Sequence, residues 1–334
     1  MGQGHQRRRR GEHLILGMRS AAAVCLTAFM GASLAADYPN KAIRIVTGSA
    51  PGGGSDYVAR TLAEKLNERF GQPMLVDNRA GAGGAIGTDI VAKAAPDGYT
   101  MLVSTGSAIA VNPALHALPY DTLRDLAPVT MVSRVPLVLA VNPSLPAKSV
   151  AELIQIAKSR PGQISYASSG IGAVSHLSME LFKNMARVDL VHVPYRGSAP
   201  AAIELISGQV QAAFNNLIPT LPHLKSGRLR ALAVSGPVRS PVLPDVPTVA
   251  ESGLPRYEAM QWYGVMLPAR PPKNISALLY RELMGILQQP VVRSRLTDEG
   301  GDVVGSTPEE FTAYIKVELA KWSKVVRDSG IRAE

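Results

Sequence analysis

The stretch Ile43-Arg-Ile-Val46, Thr47-Gly-Ser-Ala-Pro-Gly-Gly-Gly-Ser-Asp56, then Tyr57 to Phe70 and Gly71, decides the fold. A short apolar run is followed by a loop of glycines and hydroxyls, and then by a segment with helical periodicity. Val58, Leu62, Leu66 and Phe70 fall on one stripe of a helix over 57–70, and Gly71 stops it. Strand, loop and helix in this order are the opening of a βαβ unit. Further strand candidates are 74–76, 101–103, 137–141, 164–167, 190–193, 212–214 and 230–234. Most are continuous apolar runs that do not alternate, as expected of strands buried on both faces of a parallel sheet.

The intervening segments carry helix signals. Ser149 and Glu152 are spaced as a capping box, opening a helix that stops before Pro161-Gly162. Ser175 is placed to cap a helix carrying Leu177, Leu181 and Met185, and Ser198-Ala-Pro200 opens one that stops at Gly208. Thr307-Pro-Glu-Glu310 is a second capping box, with Pro308 at the first helical position and a stripe of Phe311, Ile315, Leu319, Trp322 and Val326. The expected class is α/β, with open, mainly parallel sheets flanked by helices. The number of strands suits two domains. No long linker separates them, and proline-rich turns lie near 128–147 and 237–255, so the chain is expected to cross between domains twice and to hinge there.

Residues 1–36 read as a secretory signal. Arg7, Arg8, Arg9 and Arg10 precede an uncharged run from Ser20 to Ala36 that ends in small residues, with cleavage expected after Ala35 or Ala36. The run is too short and alanine-rich for a membrane span, which needs about 20 strongly apolar residues. Met18 is an alternative start. A twin-arginine signal and a lipid anchor at Cys25 fit the flanking residues less well.

Across all 334 residues, 46% are hydrophobic, 5% aromatic and 18% charged, which excludes a disordered chain, a small disulfide scaffold and a coiled coil. The formal charge is +9, but five Arg and one Glu lie in residues 1–36, leaving 30 basic against 25 acidic residues, or +5. These charges are scattered with no basic stripe, which argues against nucleic-acid binding. The single cysteine, Cys25, lies in the signal, so the remaining chain has no disulfide, thiolate ligand or thiol nucleophile. An exported chain without disulfides suits the bacterial periplasm.

In an open parallel sheet, ligands bind beyond the carboxyl ends of the strands. Those segments are Thr47 to Asp56, Asp77 to Gly84, Ser104 to Ser107, Ser168 to Gly172, Pro194 to Ser198 and Asn215-Asn216. They are dominated by Gly, Ser, Thr, Asn and Pro, and Arg79 and Arg196 are their only basic residues. Helix starts with unpaired N–H groups, glycines that permit close backbone approach, and neutral hydroxyls and amides make a receptor for a small carboxylate. Taken singly, each loop also reads as an ordinary tight connection, and Asp56 as a helix-start cap. Catalytic signatures are not met. Gly81 to Gly87 lacks the last glycine of GxGxxG, and Gly54 stands where a P-loop needs Lys. There is no GxSxG, and His116, His176, His192 and His223 have no metal-binding spacing. His192 reads as a packed histidine, His176 as packed or cleft-lining, and Tyr195 as packed or covering a ligand.

Six stretches carry a resemblance: Ala50-Pro-Gly-Gly-Gly-Ser-Asp56, Asn78-Arg-Ala-Gly-Ala-Gly-Gly84, Pro96-Asp-Gly-Tyr-Thr100, His192-Val-Pro-Tyr-Arg-Gly197, Leu232-Ala-Val-Ser235 and Leu243-Pro-Asp-Val-Pro-Thr248. In this order, from Tyr38 to Trp322-Ser-Lys-Val-Val, the chain resembles the Bug family, the TctC-type periplasmic binding proteins of tripartite tricarboxylate transporters. The resemblance implies a two-lobed Venus-flytrap fold; with the two crossings expected at the proline-rich turns, lobe 1 is expected in 37–135 and 256–334 and lobe 2 in 136–255. It implies a small organic acid held by backbone amides, hydroxyls and water. It further implies delivery to a membrane permease with large and small subunits. No cofactor, metal or catalytic residue is expected, and the chain is expected to be a monomer. The matching contacts are Pro51, Gly52, Gly53, Gly54, Ser55, Asp56, Asn78, Ala82, Gly83, Gly84, Ser104, Thr105, Ser168, Ser169, Tyr195 and Asn215. Family members often carry Asp directly after the Phe of this last motif, where this chain reads Phe214-Asn215-Asn216, and Asn favours a ligand without an ammonium group. A partner of a membrane kinase, and a secreted hydrolase or isomerase using Asp56 or His176, are the alternatives.

Overall fold

The apolar run at Ile43 becomes β1 (Ile43–Thr47), and its two neighbours in the sheet are β2 (Met74–Asn78) and β3 (Thr100–Thr105), both parallel to it. Between them lie α1 (Gly54–Phe70) and α2 (Ala85–Ala92). The computed structural model describes residues 38–298 and 300–331, and the chain divides into two units, Met1–Asn40 and Lys41–Glu334. The expected signal segment, with its cleavage site and Cys25, lies outside the described residues. Among the described residues no helix is long and apolar enough to cross a membrane.

After β3 the chain makes a π-type turn (Ser107–Val111) and two short helices, α3 (Asn112–Leu115) and α4 (Thr122–Asp125). It then enters β4 (Leu126–Val141), whose 16 residues run roughly 50 Å at about 3.3 Å each. The next elements are α5 (Val150–Ser159), β5 (Ser165–Ser168), α6 (Val174–Ala186), β6 (Val191–Pro194), α7 (Ser198–Ser207), β7 (Ala212–Asn216), α8 (Leu217–Lys225) and β8 (Arg230–Val234). The last are β9 (Met260–Pro268), α9 (Lys273–Leu287), α10 (Pro290–Thr297), β10 (Asp302–Val303) and α11 (Pro308–Ser329).

The strand order is β2-β1-β3-β9-β4-β7-β5-β6, with β8 and β10 also on β4. The expected parallel pairings hold for β1 with β2 and β3, and for β5 with β6 and β7. Two strands depart from them: β9 is antiparallel to β3 and β4, and β4 is antiparallel to β7 and β8. The long strand joins two groups. Its residues up to Pro136 pair with β9, and from Leu137 onward they pair with β7 and β8. The chain returns beside this point, where the Ala259 N–H donates to the Ser235 carbonyl and Met260 faces Pro136.

The first half of β4 and all of β9 are longer or additional to the expected strands. Pro128, Arg134 and Pro136 interrupt the one and Gly264 the other, and such residues ordinarily demote a run. The register of β4 accommodates them by shifting at Pro128/Thr130 and Met131/Ser133. Gly264 is required by packing: a Cβ there would lie 2.2 Å from Phe311 Cζ on α11. Phe311 is fully buried and stands edge-on to Trp262, with ring centroids 5.4 Å apart. Gly264→Ala is therefore expected to lower stability by about 2 kcal/mol or more through overpacking, checked by urea unfolding. An unchanged midpoint would show that Phe311 can move aside.

Helix caps test the local readings. The Thr307 box is complete, with the Glu310 N–H donating to Thr307 Oγ1 at 3.2 Å and the Thr307 N–H donating to Glu310 Oε2 at 2.9 Å. Ser149 caps α5, but Glu152 accepts from the Lys148 N–H rather than from that of Ser149. Ser175 is not the cap of α6. That position is Ala173, and the Ser175 hydroxyl turns back to Ser169. The stripe of α11 buries Phe311, Ile315, Trp322 and Val326 against the main core, with Leu319 partly buried beside it.

Candidate functional site

The loop after β1 is tied by a carboxylate. Asp56, in the first turn of α1, accepts from the Gly52 N–H at 2.8 Å, Arg60 Nε at 3.0 Å and Asn78 Nδ2 at 2.9 Å. Asn78 Nδ2 also donates to the Ser49 carbonyl at 3.0 Å, so β2 anchors the loop as well. Burial alone would raise the Asp56 pKa, but the hydrogen bonds from Arg60, Gly52 and Asn78, with the Arg60 charge, hold it below the usual carboxylate value. The tie leaves hydroxyls clustered at the helix start. Ser55 Oγ meets Thr47 Oγ1 at 2.6 Å and is hydrogen-bonded to Ser49 Oγ.

The loop after β2 runs through positive φ from Gly81 to Gly84. Its carbonyls at Ala82 and Gly83 are held by Asn112 Nδ2 at 2.9 and 3.1 Å. The two loops touch through backbone alone: a Cβ on Gly48 would lie 2.5 Å from Gly84 Cα. With Ser104 and Thr105 at the end of β3 and Ala108 beyond it, these loops enclose a cavity of about 200 Å³ lined by Gly48, Ser49, Ser55, Gly81, Gly83 and Gly84.

A second cavity, of about 210 Å³, shares Ser49, Ser55 and Thr105 with the first. Its remaining lining comes from Gly54, Ser107, Gln261 and Tyr263, and, from beyond the partner change in β4, from Leu137, Ser169, Ala173, Val174, Ser175 and Asn216. Both groups of strands therefore contribute to one continuous set of walls. No charged side chain lines either cavity. Arg79 is turned to Asp77, with Nε 3.0 Å from Oδ2. The donors available to a ligand are hydroxyls, carboxamides and main-chain amides at the start of α1, where about half a positive charge resides.

Of the expected contacts, Gly54, Ser55, Gly83, Gly84, Ser104, Thr105 and Ser169 line these cavities. The others stand elsewhere. Pro51 and Gly52 are exposed and Gly53 is half-buried in the turn before α1. Asp56 and Asn78 are the tie behind the loop, and Ala82 turns its carbonyl to Asn112. Ser168 is buried, with Oγ 2.6 Å from His192 Nε2. Tyr195 packs on the small apolar cluster of Ala140, Ala201 and Leu205. Asn215 is buried, gives Nδ2 to the Ser198 carbonyl at 3.0 Å, and leaves Oδ1 without a partner. His192 packs as expected, and His176 is also packed, the two rings stacked at 3.8 Å.

Several lining residues lie outside the expected contacts. Gly48, Ser49, Gly81 and Ser107 sit within the glycine- and hydroxyl-rich loops themselves. Asn216 follows Asn215 and points its side to the cavity where Asn215 does not, the alternation of a strand. Gln261 and Tyr263 flank the buried Trp262 on β9 with the same alternation, a signal masked in the sequence because Gly264 interrupts the strand. Among the described residues no group of three or more His, Cys, Asp or Glu is placed to hold a metal.

Two sheet groups joined by a shared long strand, with a ligand-sized space walled by both, define a two-lobed binding protein of the periplasmic type. The chain belongs to the tripartite tricarboxylate transporter receptor (TctC) family, whose profile matches residues 58–331. It is 42% identical over 309 residues to the protein BugT of Bordetella pertussis, covering 92% of this chain and 95% of that one. Among solved structures it is similar to R. palustris Rpa4515 with adipate, at 37% identity and a TM-score of 0.79, covering 89% of this chain and 99% of that one. It is also similar to MatC from Rhodopseudomonas palustris with bound malate, at 32% identity and a TM-score of 0.75, covering 86% and 100%. The family is one of transport receptors rather than of enzymes.

Proposed function

We propose that this protein is a periplasmic receptor that takes a small organic acid into the paired cavities and presents it, as a monomer, to a tripartite-type permease with large and small membrane subunits. The observation that carries this reading is the make-up of the walls: neutral donors from both sheet groups around one space, with no fixed charge in either wall. Such a lining binds an anion through oriented dipoles, and the start of α1 supplies the partial positive charge. The adipate and malate bound by the relatives are acids of this kind.

Lobe 1 comprises 37–135 and 256–334 and lobe 2 comprises 136–255, a division supported by the change of partners in β4 after Pro136 and by the return at Ala259. Contacts from both lobes favour the closed state, since only differential affinity can shift a hinge equilibrium. Residues 1–36 direct export and are removed. Within the site, the proximal contacts are Gly54, Ser55, Gly83, Gly84, Ser104 and Thr105. Ser169 with Asn216 meets the far end of the ligand. Neither wall offers a carboxylate to an ammonium group, so the preferred acids lack one.

A thermal-shift series with mono-, di- and tricarboxylates tests this. At a concentration about 100 times Kd, a true ligand adds about 2.7 kcal/mol, a shift of several degrees for a chain this size. Stabilisation by sugars or amines with no response to any acid would refute the proposal.

A further inference from the structure

Behind the serine wall of the second cavity two imidazoles lie face to face. His176 on α6 and His192 on β6 have ring centroids 3.8 Å apart and planes 7° from parallel, and Tyr166 of β5 stacks 4.9 Å from the His192 ring. Each imidazole holds one end of the turn joining β5 to α6. Ser168 Oγ lies 2.6 Å from His192 Nε2, and the Gly172 N–H donates to His176 Nδ1 at 3.2 Å. Between these ends, the Ser169 N–H and hydroxyl both meet Ser175 Oγ at 2.9 Å, and these two serines line the cavity. The turn also abuts the other sheet group's helices: Gly172 has φ +74°, and a Cβ there would lie 2.6 Å from Leu115 Cδ1 on α3.

The bond from Gly172 fixes a protonation state. Nδ1 of His176 accepts, so it carries no proton, and the ring is the Nε2–H tautomer. A proton on Nδ1 would set two N–H groups head to head and leave the Gly172 amide without its acceptor. It would also set a positive charge on His176 against the stacked His192 ring, in a site where His176 is 4% exposed. The titratable and charged groups facing the pair are Tyr166 from β5 and Glu180 and Lys183 from α6. Glu180 is already engaged, by the Tyr166 hydroxyl at 2.6 Å and Lys183 Nζ at 2.8 Å.

We propose that His176 is a positioning residue for ligand binding: its bare Nδ1 latches the Gly172 turn so that Ser169 and Ser175 face the cavity, and protonation releases that latch and weakens carboxylate binding. This rests on the paired cavities being the ligand site. Burial, and then the Lys183 charge, lower His176 to about 4. Burial, then the neighbouring His176, lower His192 to about 3. In a released turn both return towards the ordinary value of about 6.5. The released form therefore binds more protons between about 6.5 and about 4, and the latched form is fully favoured above that window and loses ground as pH falls through it.

The test compares the full chain with His176→Gln and His176→Ala at about pH 7.5 and about pH 5, using adipate as probe in calorimetry and amide exchange without ligand, corrected for the intrinsic effect of pH. Gln offers an oxygen to the Gly172 N–H and does not titrate in this range. The wild-type protein is expected to lose about tenfold more adipate affinity between the two pH values than His176→Gln does. Adipate's own titration is common to every variant. His176→Ala is expected to bind weakly at both values, and Gly172 amide protection should fall at the lower pH in the wild type only. Parallel pH profiles for the wild type and His176→Gln would overturn the latch. If adipate binds nowhere at the higher pH, the ligand-site reading fails instead, and exchange decides the latch: unchanged Gly172 protection in the wild-type chain overturns it even if neither variant folds.

Discussion

Gly48→Ala is expected to cost at least about 100-fold in affinity for a bound carboxylate, about 2.7 kcal/mol, while the chain stays folded. The reason is the place where the first two loops cross. A Cβ on Gly48 would lie 2.5 Å from Gly84 Cα and 3.0 Å from its carbonyl oxygen, and Gly87, at the start of α2, already stands close enough that its own Cβ would be 3.2 Å from Gly48. All three contacts involve backbone, which cannot rotate aside. The methyl must separate the loop after β1 from the loop after β2, and both line the first cavity. Hydrogen bonds that converge on a carboxylate tolerate little displacement, since each weakens steeply as its angle opens. The strands that carry the loops are anchored independently, by the buried Ile43, Ile45 and Val46 and by the Asp56 tie. The stability loss should therefore stay near the ordinary overpacking cost of about 1–3 kcal/mol. Calorimetry with adipate beside urea unfolding separates the two quantities. Undiminished affinity would mean that the crossing does not shape the site. Gly83→Val acts in the same loop by another route: its Cβ would lie 2.8 Å from Asn112 Oδ1 and disturb the carboxamide that holds the turn.

The same crossing explains what could be read from sequence. β1, α1 and the loop between them follow from an apolar run, a stripe at helical spacing and glycines at the turn, all local signals. The neutral, glycine-rich character of the walls was equally legible, because donors of that kind are grouped after successive strands. Selecting individual contacts required knowing which way each residue faces. Asp56 reads singly as a helix-start cap, and only the motif resemblance makes it and Asn78 ligand contacts; in fact they bond to each other behind the loop. Asn215 and Asn216 differ only by the alternation of a strand, and it is Asn216 that lines the cavity. β9 escaped because its glycine answers to Phe311, some fifty residues away, and no local pattern encodes that contact. Gln261 and Tyr263 escaped with it, although they form part of the second wall. A crossing near 128–147 was expected as a proline-rich turn; that it is one continuous strand, β4, was hidden for a related reason. Proline and arginine break the apolar pattern where the strand shifts register between partners.

The core beneath that join depends on one buried charge, and removing it should produce the largest stability change in the molecule. Glu318 on α11 is 2% exposed, and its Oε2 accepts from both indoles, Trp322 Nε1 at 2.9 Å and Trp262 Nε1 at 3.3 Å. Lys321 pairs with the other oxygen and also donates to the Glu258 carbonyl at 3.3 Å. Trp262 lies on β9 and Trp322 on α11, so a single carboxylate fastens the last helix to the strand that returns from the second group. Glu318→Ala leaves two fully buried indole N–H groups without an acceptor. Neither can turn to water, because Trp262 is hemmed by Phe311 and by Gly106, where a Cβ would lie 2.7 Å from its Nε1. Lys321, partly exposed, can. The expected cost is about 3–5 kcal/mol, the usual range for breaking a buried charged network from one side. Glu318→Gln keeps an oxygen for the indoles and gives up the attraction to Lys321, so it should cost roughly half as much. Urea unfolding of both variants at neutral pH reads the difference. If alanine and glutamine cost the same, the loss would lie in the Glu318–Lys321 attraction within α11, and the indole bonds would not be what secures α11 to β9.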